Sequence, residues 1–184
     1  MDLRSLLLEI VFISFGIFIP LTAFLELLRF PEFKEQMKSW TQSAIAIVRI
    51  AGMLYLLHWA AVELITFNGY ENSSLTRLEG EYWGPYVMGW FLLPALMQLY
   101  WLKFWSQRKL PRITLAFVIL FISSLMSGLY FDIVMKLGSE YGSNISNGQL
   151  LFDILKNIIL FLILVFVVNR LGLKKSKSLQ SQIK

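Results

Sequence analysis

Apolar residues along this chain fall in long blocks separated by short polar stretches. Crossing a bilayer as a helix takes about 20 mostly apolar residues. Five blocks reach that length, at residues 5–28, 42–67, 84–105, 113–135 and 150–169. The stretches between them have the chemistry of connections: 31–41 is charged, 68–83 is rich in Asn, Ser, Glu and Gly, and 138–148 reads GSEYGSNISNG. Residues 106–112 form a short basic link, which predicts that the third and fourth spans are antiparallel neighbours. The first block is too long for a signal peptide and no small-residue cleavage site follows it, so it is expected to remain as the first span. The fold class expected is therefore all-α: a polytopic membrane helix bundle of about five spans in one domain, residues 1–172, with a basic flexible tail at 173–184.

Composition agrees, since 57% of the side chains are hydrophobic. Charge adds the orientation. With the first link, the third link, the tail and the ends of the blocks beside them (Arg29, Lys103 and Arg170) on one side, twelve lysines and arginines gather there, against three (Arg4, Arg77 and Lys136) on the other. Positive residues stay cytoplasmic, so the pattern predicts an outside N-terminus, a cytoplasmic C-terminus and an odd number of spans in the inner (plasma) membrane. The net charge of +5 follows this segregation rather than a nucleic-acid-binding face, and no nucleic-acid partner is expected. Tyr82, Trp83 and Tyr86 at one end of the third span and Trp101 and Trp105 at the other mark its two headgroup belts. Pro20 and Pro94 fall near mid-span, where each predicts a packing kink.

Ionisable residues inside spans cost about 2.5–3.5 kcal/mol each near the bilayer centre, so they must face protein or water. The set is Glu9, Glu26, Arg49, His58, Glu63, Asp132, Asp153 and Lys156. Glu26 and Arg49 both lie toward the cytoplasmic side and are candidates for a structural ion pair, as are Asp132 and Lys156. Arg49, Leu56 and Glu63 follow a seven-residue step and share a helix face. Glu9, His58, Glu63 and Asp132 collect in the outer half. A carboxylate and an imidazole in a partly dry pocket suit a proton-handling or quinone-headgroup site; snorkelling and bridging near an interface is the plainer alternative.

The chain has no cysteine, which excludes disulfides, thiolate metal sites, Cys-ligated iron–sulfur clusters and covalently attached c-type haem. A single histidine cannot give bis-histidine haem ligation. No phosphate-binding loop, nucleophile elbow, metalloprotease or dinucleotide motif is present. No metal site, no cofactor of its own and no autonomous catalysis are expected.

From Glu63 to Leu137 the order of features is ELITFNGYE, then GEYWGPY, then LLPALMQLYWLKFW running into a basic turn, then SGLYFDIVMKL. This order resembles part of the NrfD-like (polysulfide-reductase-type) quinone-interacting membrane subunits, in the version found in alternative complex III. Glu63, Tyr86, Pro94 and Asp132 occupy the matching positions, Asp132 in place of the family's usual Glu. Ile133 stands where an Arg usually follows, the chain is much shorter than the family's members, and the helix bearing the family's quinone-site histidine has no counterpart, so His58 does not inherit that role. The resemblance implies an accessory or quinone-proximal subunit of a quinol-linked respiratory complex, with quinone as the one cofactor and other membrane or redox subunits, besides lipid, as partners. Two readings stand beside it. One is a small transporter or channel component, for the ionisable residues and prolines within spans. The other is a scaffold or assembly protein that packs through small residues such as Gly52 and Ser123.

Overall fold

The computed structural model describes residues 3–26, 31–67, 92–127 and 147–182. Among these the chain is helical with no strand: α1 (Leu3–Leu6), a π-helical stretch (Leu7–Ile13), α2 (Ser14–Leu25), α3 (Pro31–Phe67), α4 (Leu93–Gln98), a 3₁₀ turn (Leu99–Trp101), α5 (Lys103–Gln107), α6 (Lys109–Ser127) and α7 (Asn147–Gln182). Four stretches are long and apolar enough to cross a membrane: Leu7–Leu25, Lys34–His58, Lys109–Ser127 and Leu151–Gly172. The architecture is compatible with a membrane protein.

Contacts between helices set their directions. The Thr41 hydroxyl on α3 donates to that of Thr22 on α2 at 3.4 Å, and Ser39 donates to Asn169 Oδ1 on α7 at 2.6 Å. Glu26, just beyond α2, pairs with Lys109 and Arg112 at the start of α6. The end of α2, the start of α3, the link around α5 and the Asn169 region of α7 therefore meet at one end of the bundle. Lys34, Lys38, Lys103, Arg108, Lys109, Arg112 and Arg170 all lie toward this end, where the charge pattern of the sequence gathers them.

The first candidate span is central and the last is peripheral. Two-thirds (67%) of the Leu7–Leu25 stretch is buried, against 11% of Leu151–Gly172. Four edge-to-face aromatic contacts radiate from the first span: Phe12 to Tyr55 on α3 at 5.6 Å, Phe15 to Tyr100 at 5.3 Å, and Phe15 and Phe18 to Phe161 on α7 at 6.5 and 5.8 Å. Close packing and dispersion act at these contacts. Among the described glycines, packing is tightest at Gly16. A Cβ there would fall 2.5 Å from Leu120 Cβ and 3.1 Å from the Ala116 carbonyl oxygen, so only a glycine lets α2 and α6 approach this closely. Gly52 does the same for α3 against Met97 on α4.

Three sequence expectations change. Residues 31–41 are not a loop but the first turns of α3. Pro31 opens the helix, Lys34, Glu35, Gln36 and Lys38 take its exposed side, and Met37 and Thr41 are buried, an amphipathic arrangement that a charge-based reading mistakes for a link. The third span is expected as one helix to residue 105, but its described part breaks at Leu102, whose backbone is extended (φ −77°, ψ 132°), so Trp105 belongs to the separate α5. Pro94 lies in the first turn of α4, directly after the helical residue Leu92. Pro20, in contrast, is inside α2, and the residue four positions before it, whose carbonyl loses its partner, is Gly16. The backbone of 173–182, expected as a flexible tail, continues α7 as helix.

Candidate functional site

The polar chemistry of the described residues concentrates at the basic end, where four elements meet. Glu26 lies 3.5 Å from Arg112 Nη2 and 3.6 Å from Lys109 Nζ. The glutamate and Arg112 side chains are only 13% and 9% exposed, whereas Lys109 is 40% exposed, so the Arg112 pair holds the structural weight. Tyr100, fully buried, donates its hydroxyl to the Arg112 carbonyl at 3.0 Å and so fastens the 3₁₀ turn to α6. On the other side of that turn, Arg49 of α3 donates through Nη2 to the Tyr100 carbonyl and lies 4.7 Å from the Trp101 ring centroid. Gln98 closes the group, donating to the Arg49 carbonyl at 3.4 Å and accepting from Trp101 Nε1 at 2.8 Å.

This arrangement corrects the expected pairing of Glu26 with Arg49. The two lie on neighbouring helices at the same end, but Arg49 is taken up by a carbonyl freed where the third segment turns 3₁₀, and Glu26 is claimed by α6. The reason is that α6 begins at Lys109, earlier than the sequence suggests, which brings Arg112 inside the helix and against α2. Tyr100, Lys109 and Arg112 are thus site residues that sequence reasoning counts only as part of a span or as orientation charges. Asn157, a polar side chain only 8% exposed in the interior of α7, is likewise absent from the residues the sequence singles out.

The outer candidates are not drawn into one site among the described residues. Glu9 is half-buried in the π-helical stretch, where its backbone carbonyl accepts from Ser14 Oγ at 3.5 Å. His58 is half-buried near the end of the second candidate span, with no hydrogen bond or ion pair to Glu9. The backbone of Glu63 belongs to α3 and its side chain lies outside the described residues, as do Tyr86 and Asp132. Lys156, expected to bridge to Asp132, pairs with Asp153, three residues earlier on the same helix, at 2.8 Å; both are half-exposed, so the pair contributes little to stability. No group of three His, Asp or Glu residues able to hold a metal ion occurs among the described residues.

Two clefts flank the contact between α3 and α7. One, of 320 Å³, is almost wholly apolar and runs along Leu21, Leu25, Met37, Trp40 and Leu162. The other, of 300 Å³, is polar and contains Ser39, Ser43 and Asn169. The first has the chemistry of a hydrocarbon chain's berth; the second is already bridged by the hydrogen bonds from Ser39 and Ser43 to Asn169.

No family model, curated protein or solved structure matches this chain.

Proposed function

We propose that the chain is a five-span protein of the plasma (inner) membrane, with its N-terminus outside and its basic end cytoplasmic, and that it serves as an accessory, quinone-proximal subunit of a quinol-linked electron-transfer complex. The observation that carries the subunit reading is where the charge goes. Among the described residues the most deeply buried ion pair ties helix to helix, Glu26 to Arg112, and Arg49 secures the 3₁₀ turn, while the peripheral α7 leaves a broad apolar face for lipid or a neighbouring subunit. The respiratory part of the proposal rests on the resemblance of residues 63–137 to the NrfD-like subunits. Quinone is the cofactor it implies, and the apolar cleft beside Trp40 is the described feature best suited to an isoprenoid tail.

Purification of a tagged chain from its native membrane in mild detergent, with mass spectrometry and a visible spectrum of the same sample, tests this. Haem or iron–sulfur subunits are expected in stoichiometric amounts. A colourless homo-oligomer would contradict the respiratory assignment and leave transport as the better reading; colourless partners in fixed ratio would favour a scaffold.

A further inference from the structure

The link between the 3₁₀ turn and α6 has a composition that neither a soluble loop nor a buried one tolerates. Within ten residues it exposes Trp101 (57%), Leu102 (54%), Phe104 (47%) and Leu110 (75%). Large exposed apolar side chains so close together in the chain are the composition of an interaction surface. Interleaved with them are Lys103 and Arg108, both exposed. The whole described segment 92–127 contains no Asp or Glu. Among the described residues, the carboxylate that reaches it, Glu26, is engaged by Lys109 and Arg112. Lys103 and Arg108 form no ion pair with any described residue, and the Arg108 guanidinium instead lies 5.1 Å from the Phe104 ring centroid.

The link is also held in place. Its inner side is fastened through Glu26 to the end of α2 and through the Tyr100 hydroxyl to α6, and extended residues at Leu102 and Arg108 bound α5 on either side. A fixed strip of aromatic and aliphatic groups carrying two cations, at the end of the bundle where the other basic residues gather, matches one environment. That environment is the boundary between acyl chains and anionic headgroups.

We propose that residues 101–110 form a binding surface for anionic phospholipid, with Trp101, Leu102, Phe104 and Leu110 seated among the first acyl carbons and Lys103 and Arg108 holding the lipid phosphate. The chemistry distinguishes this surface from the general positive bias of the cytoplasmic side. Lys103 lies between exposed Leu102 and Phe104 in sequence, and the Arg108 guanidinium lies over the Phe104 ring, so charge and hydrocarbon are recognised together. The proposal rests on the membrane reading of the chain and not on the respiratory one.

The test uses the full chain reconstituted in phosphatidylcholine vesicles containing an equal, minor fraction of brominated phosphatidylglycerol or brominated phosphatidylcholine, with quenching of tryptophan emission as the readout. Retention of the chain in carbonate-washed membranes checks the membrane reading separately. Wild type is expected to enrich phosphatidylglycerol by about fivefold, the effect of roughly one cation at a headgroup surface. Lys103→Gln with Arg108→Gln brings the two lipids to parity, and Lys103→Gln alone, at an exposed position, gives an intermediate value should the double variant fold poorly. Neutralising Lys174 and Lys175 removes the same charge elsewhere and leaves the enrichment intact. Equal quenching by both lipids in wild type, or equal loss from the Lys174 and Lys175 variant, would overturn the proposal. A photoreactive residue at position 104 that captures protein rather than lipid in native membranes would overturn it as well.

Discussion

Replacing Glu26 with alanine is expected to destabilise the bundle by about 3 kcal/mol, because it leaves the Arg112 guanidinium buried without its counter-charge. Arg112 is only 9% exposed, and among the described residues its Nε has no hydrogen-bond partner even in the intact pair, so nothing described nearby compensates for the missing carboxylate. The sign reverses if both charges go. Glu26→Ala combined with Arg112→Leu removes the stranded charge and recovers most of the loss, a non-additivity that a double-mutant cycle on detergent-solubilised protein reads directly. Lys109→Gln, at a 40% exposed position, is expected to cost less than about 1 kcal/mol. If Glu26→Ala and Lys109→Gln proved equal, the weight assigned to Arg112 would be wrong.

The second large effect is at Gly16. Alanine normally improves a helix over glycine by about 1 kcal/mol. At Gly16 the added Cβ meets Leu120 Cβ at 2.5 Å and Leu120 Cα at 3.0 Å, atoms that cannot rotate away, so α2 and α6 must separate. Gly16→Ala is expected to destabilise by about 2 kcal/mol net, and Gly16→Leu to abolish folded protein in the membrane. Gly172 in α7 supplies the contrast: a Cβ there meets nothing within 4 Å, and Gly172→Ala is expected to be neutral or stabilising. Gly52→Ala falls between, because the Gln98 side chain can swing aside although Met97 Cβ cannot. Thermal unfolding midpoints of the three alanine variants in one detergent give the order directly.

Much of the helical layout is legible in the sequence because a bilayer demands long apolar runs, and such runs do not need a partner to be recognised. Residues 5–28, 42–67, 113–135 and 150–169 each overlap a helix long enough to cross. What hydropathy cannot see is a change of backbone geometry within an apolar run: nothing in LYWLKFW announces that Leu102 turns extended. Nor does it see where a helix starts when the first turns are amphipathic, as at Met37 and Thr41. The ion pairs are only half legible for the same reason. Glu26 stands out as a carboxylate inside a span, but its partner depends on where α6 begins, and Arg112 reads as a link charge until the helix is known to include it. Gly16 carries no signal of its own; its role exists only against Leu120, on a helix distant in sequence. The outer candidates Glu63 and Asp132 have side chains outside the described residues, and their part in the proposed function stands on the resemblance.

The central claim is that one basic end of the bundle faces the cytoplasm. The chain has no cysteine, so a single introduced one reports its side without background. In intact cells treated with a membrane-impermeant maleimide, the account predicts that Lys38→Cys and Gln107→Cys remain unlabelled until the cells are opened, whereas Ser74→Cys and Ser143→Cys label at once. Labelling of Lys38→Cys and Gln107→Cys in intact cells, or of one without the other, would contradict it.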